Sequence, residues 1–74
     1  MKEELKNRIT TLCKAFNCEE QNSDIWQVID KYLLSDINEA QLYYLISDLL
    51  NSNYNATDVF MFIIFDFVNM TING

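Results

Sequence analysis

No histidine and no proline occur in this 74-residue chain, and its one glycine is the last residue, Gly74. Without histidine there is no imidazole base for a Ser-His or Cys-His nucleophile, and without an internal glycine there is no loop of the kind that cradles phosphate on backbone amides. The same scarcity of proline and glycine argues against a loop-rich or sheet-rich fold. Cysteine is nearly absent too. Cys13 and Cys18 are the only two, and a structural zinc site takes four Cys or His ligands, so no metal is expected. No secretory signal is legible, because the N-terminal stretch is charged and amphipathic rather than apolar. A cytoplasmic location with free thiols is the expectation.

Positive charge is scarce and confined to one end. Lys2, Lys6, Arg8 and Lys14 balance Glu3, Glu4, Glu19 and Glu20 over residues 1–22, so the formal −6 falls entirely on residues 23–74, where Lys31 is the only cation. A negative field repels nucleic acid, so direct nucleic-acid binding is not expected. A partner met electrostatically should be a protein with a basic surface. Half of the residues are hydrophobic, which is too apolar for a disordered chain. A core of this size supplies only about 3–5 kcal/mol, and that pressure favours a homo-oligomer.

What is present has helical period. The chain predicts an all-α single domain over residues 1–74, a small bundle of about four short helices at about 2–16, 24–34, 37–50 and 58–72. In the first helix Leu5, Ile9, Leu12, Cys13 and Phe16 share a face, which makes Cys13 a core residue. Ser23 or Asp24 can cap the second helix, whose apolar side carries Ile25, Trp26, Val28, Ile29, Tyr32 and Leu33. Asp36 followed by Glu39 has the spacing of a capping box opening the third. There Leu42, Tyr43, Leu45, Ile46, Leu49 and Leu50 oppose Ile37, Ala40, Gln41, Tyr44, Ser47 and Asp48. The segment Thr57–Ile72 is apolar around most of its circumference, with Asp58, Asp66 and Asn69 in one narrow strip. Such a helix is expected to be buried on several sides as the centre of the bundle. It is too short, and carries Asp66 too centrally, to span a membrane.

Candidate functional residues follow from these faces. Tyr44, flanked by Ile37, Gln41 and Asp48, is an aromatic on an otherwise small and acidic face, and tyrosine is enriched at interfaces. Trp26 is a candidate hot spot at the edge of its apolar arc. Asp30, Asp36 and Glu39, with Asp24 and Asp48, could occupy a basic groove in place of phosphates. Met61, Phe65 and Val68 are candidates for self-association, with Phe65 and Met61 on the outward side. The Asn51, Asn53, Asn55 spacing has the rhythm of a calcium loop, but all three are amides and Phe62 stands where the bidentate glutamate belongs. No catalytic residues, cofactor or metal are expected. The reading is a non-enzymatic acidic helical protein acting by protein–protein contact, in the manner of phage or mobile-element inhibitors and regulators of host proteins.

Two resemblances suggest alternatives. A small acidic four-helix chain with Ser35-Asp36-Ile37 ahead of its third helix looks like an acyl carrier protein, which bears phosphopantetheine on the serine of an Asp-Ser-Leu motif; here serine and aspartate are reversed. Val28-Ile29-Asp30-Lys31, followed by Leu34-Ser35-Asp36 and Glu39, is similar to a stretch of the Hha and YmoA family of small helical proteins, which bind a nucleoid-associated repressor. That likeness implies a modulator of such a repressor, and it lapses over the C-terminal helix.

Overall fold

The computed structural model describes residues 2–73. The described residues form four helices, α1 (Lys2–Ala15), α2 (Asn22–Leu33), α3 (Glu39–Leu49) and α4 (Tyr54–Asn73), with a 3-10 turn at Glu19–Gln21 running into α2. No strand occurs among the described residues. Each helix packs against its neighbours in sequence and α4 closes the ring on α1. The radius of gyration, 11.3 Å, matches the value of about 11 Å for a compact domain of this length.

Every helix contributes to one core: Leu5, Ile9, Leu12 and Cys13 from α1, Ile25 and Ile29 from α2, Leu42 and Ile46 from α3, and Phe60, Met61 and Ile64 from α4. Phe60 is fully buried and meets Phe16 edge to face at 5.5 Å. Burial of a side chain that size stabilises by about 1.5–3 kcal/mol over leaving it exposed. Ser47 is also buried in this interior, and its hydroxyl has no hydrogen-bond partner among the described residues.

The helix ends are built without glycine. Three helices stop in a Schellman motif, in which a residue in the left-handed region reverses the chain so that two amides cap the last carbonyls. At the end of α1, Asn17 (φ 57°) lets Cys18 N–H donate to Cys13 O at 2.8 Å and Asn17 N–H donate to Lys14 O at 3.2 Å. Ser35 (φ 64°) does the same for α2, and Asn51 (φ 62°) for α3. Asp36 N–H is thereby committed to Lys31 O at 2.9 Å. It is not free to donate to the Glu39 carboxylate, and the expected Asp36–Glu39 box does not form. The box that forms lies two residues on: Asn38 Oδ1 accepts from Gln41 N–H, and Gln41 Oε1 accepts from Asn38 N–H, both at 2.8 Å. Neither Ser23 nor Asp24 caps α2, which begins at Asn22 directly from the 3-10 turn. Asn22 instead donates its side-chain amide to Thr10 Oγ1 at 3.0 Å, tying α2 to α1. The fourth helix opens at Tyr54, ahead of the expected Asp58, because Asn53 Oδ1 accepts from Ala56 N–H at 3.0 Å and caps its first turn.

The enclosure expected for α4 does not occur. It fully buries one stripe, Thr57, Phe60, Met61 and Ile64, and half-buries Ile63, Phe65, Phe67 and Val68 beside it, while Val59, Phe62 and Met70 are exposed. Met61, expected on the outward side, is 5% exposed. It faces inward because it lies one turn from both Thr57 and Ile64, within the stripe that α1 and α3 cover.

Candidate functional site

The expected contact residues fall in three separate places. On the α1–α2 side, half-buried Trp26 lies under Lys6 Nζ, 5.2 Å from the ring centroid, and one turn on Asp30 Oδ1 pairs with Lys2 Nζ at 3.2 Å. These two are already occupied by α1. A groove of about 500 Å³ brings together Asp36, Ile37 and Gln41 with Phe65 and Val68, so residues expected for partner binding and for self-association share one wall. Phe65 packs edge-on against Tyr32 at 5.8 Å, and Gln41 is held in its capping box. The third place carries Tyr44, Glu39 and Asp48, all exposed, on α3.

Around Tyr44 the structure assembles a face that spans α3 and α4. Tyr43 is its centre: Tyr44 meets it edge-on at 5.9 Å, and Tyr54 of α4 stacks parallel to it at 6.3 Å with 3° between the planes. The Tyr43 hydroxyl donates to Asp58 Oδ1 at 2.8 Å, and that bond raises the phenol above its ordinary pKa by favouring the protonated form. Tyr44 and Tyr54 are 63% and 57% exposed. Glu39, Ala40, Tyr43 and Tyr44 line a shallow hollow of about 410 Å³.

From Tyr54 the face continues along α4. Tyr54, Asp58, Phe62, Asp66 and Met70 follow at four-residue intervals, each beside the next on the helix surface, and all five are exposed. Phe62 is 75% exposed and Val59 flanks it at 53%. Aromatic and carboxylate thus alternate along one ridge. Residues 32–74 hold five carboxylates and no lysine or arginine of their own, and α1 brings Arg8 over the neighbouring Phe67 at 4.9 Å.

Both thiols are buried and free, meeting where the Schellman turn of α1 brings its two ends together. Burial, with Cys18 adding to it, pushes the Cys13 thiol up to about 12, and burial likewise raises Cys18. A thiol in that state is a poor nucleophile and a poor metal ligand. No group of three or more metal-ligating side chains occurs among the described residues, and no helix is long and apolar enough to cross a membrane. Ser35, the serine of the carrier-like string, closes α2 rather than opening α3.

Tyr54, Val59 and Phe62 escape a reading of the sequence. Tyr54 stands in a stretch with the look of a loop, and Asn53 as helix cap is the signal that would have moved it into α4. Compared with known families, curated proteins and solved structures, the chain matches none.

Proposed function

We propose that this chain is a non-enzymatic binding protein that docks a basic protein partner on the face formed by α3 and the outward ridge of α4. The observation that carries the reading is the four-residue alternation Tyr54, Asp58, Phe62, Asp66 in the exposed part of α4, beside Tyr44 and Glu39 of α3. Interfaces take their energy from desolvated aromatic anchors, and carboxylates around them select partners of opposite charge. A second copy is a poor occupant, because two such faces would bring like charges together. The pressure of small size towards a homo-oligomer therefore does not act through this ridge. If the partner's basic surface also binds nucleic acid, occupation by these carboxylates inhibits it by standing where phosphates stand.

The test is a photo-crosslinking benzophenone at position 62, compared with the same group at exposed Gln27 of α2, in cells expressing the chain. An adduct from position 62 with a protein whose contact surface is rich in Lys and Arg, lost when Asp58 and Asp66 are both changed to Lys, supports the reading. Equal yields from both positions, or adducts that survive the charge reversal, contradict it.

A further inference from the structure

We propose that the partner's anchor is an arginine side chain seated in the hollow of Glu39, Ala40, Tyr43 and Tyr44, its guanidinium flat on a tyrosine ring and its N–H groups on the Glu39 carboxylate. The proposal rests on the reading of this face as a protein-binding surface and supplies the chemistry of its central contact.

The chain's own use of cations shows the asymmetry. Lys6 lies over Trp26 at 5.2 Å and Arg8 over Phe67 at 4.9 Å, so aromatic rings on the α1 side of the bundle have a cation supplied from within. No cation lies over Tyr44 or Tyr54 among the described residues, and residues 32–74 hold no lysine or arginine. Both are exposed, Tyr54 with one face stacked on Tyr43, and carboxylates stand on both helices. Glu39 lies one turn from Tyr43 on α3, and Asp58 one turn from Tyr54 on α4.

The hollow suits a guanidinium better than other occupants. Ala40 contributes only a methyl group, so the space of about 410 Å³ admits a planar group between the rings and the carboxylate. The hydrogen bond from Tyr43 to Asp58 fixes that ring and shifts electron density into it, strengthening its attraction for a cation. An ammonium would gain the charge term alone. Arginine also stacks on the ring and offers forked donors matched to a carboxylate. A carboxylate- or phosphate-bearing ligand is repelled by the same field.

The experiment uses the whole chain, labelled with ¹⁵N and titrated at low ionic strength with acetylated hexa-arginine amide and, in parallel, hexa-lysine amide. Saturable shifts centred on residues 39–44 and 54–58, with tighter binding of the arginine peptide, are expected. Tyr44→Ala should weaken binding about two- to fivefold, as loss of an exposed cation–π contact does, Glu39→Gln should weaken it as well, and Tyr44→Phe, which keeps the ring, should bind like the native chain. Tyr44 is exposed, so these variants retain the fold, which circular dichroism checks. Equal affinity for the two peptides together with an unaffected Tyr44→Ala would overturn the arginine pocket while leaving the basic-partner reading standing. Shifts centred on Glu19, Glu20 and Asp24 instead would overturn both.

Discussion

Tyr43 of α3 donates its hydroxyl proton to Asp58 of α4 across 2.8 Å, and this one bond joins the two helices at the centre of their shared aromatic face. It holds the parallel stack of Tyr43 on Tyr54 and leaves Tyr44 turned outward. Because the phenol titrates above its ordinary value of 10.0 in the folded chain, its contribution to stability is complete below that pH and is lost as pH rises through the higher folded value. Spectrophotometric titration should show a phenol ionising above its ordinary range. In Asp58→Asn that high-pH phase should vanish, and its absence from the native chain would contradict the bond.

Ser35 adopts φ 64° without the freedom of a glycine. A side chain in the left-handed region costs about 1–2 kcal/mol, part of which glycine returns through the entropy of the unfolded chain. Ser35→Gly should therefore stabilise the protein by about 0.5–1 kcal/mol in urea unfolding. Asn17→Gly should gain less, since asparagine tolerates that conformation better. A loss of stability in Ser35→Gly would show that the Schellman turn of α2 is not formed.

The inward stripe of α4 separates two phenylalanines two residues apart. Phe60→Ala should cost about 3–5 kcal/mol, the usual loss for a fully buried ring. Phe62→Ser should stay within about 0.5 kcal/mol of the native chain, as exposed substitutions do. Thermal or urea denaturation of the pair decides the orientation of the helix. The reverse order would place Phe62 in the core.

Four helices were legible because apolar residues recur at helical period and nothing in the chain breaks them early. Their ends were less so. C-terminal turns are ordinarily signalled by glycine, and here Asn17, Ser35 and Asn51 do that work, while Asp36 and Asn38 each head a capping pattern and only the use of Asp36 N–H by α2 decides between them. The direction of α4 was not legible at all. With apolar residues on nearly every side of Thr57–Ile72, its own pattern does not specify a buried face, and the packing of α1 and α3 selects Phe60, Met61 and Ile64 over Val59 and Phe62. Tyr44 and Glu39 were identifiable as surface candidates because their side of α3 is polar. Trp26 and Asp30 were less well placed, since partners on α1 that lie far off in sequence already occupy them.

Ser47 is a buried hydroxyl whose removal should help. An unpartnered polar group in the core carries a desolvation cost, so Ser47→Ala should be neutral or stabilising by up to about 1 kcal/mol. The measurement is again urea unfolding. A clear destabilisation would show that the hydroxyl is bonded in solution.

The most direct test of the account is the affinity of the purified partner, identified by crosslinking from position 62, for three exposed-site variants compared by calorimetry. Phe62→Ser and Tyr44→Ala should each weaken binding at least about tenfold, as loss of an interface anchor does. Leu34→Ser, which removes an apolar side chain that is 59% exposed at the end of α2, should leave it within about twofold of the native chain, as a residue outside the contact does. Equal affinities for all three, or a loss confined to Leu34→Ser, would contradict the assignment of the α3–α4 face.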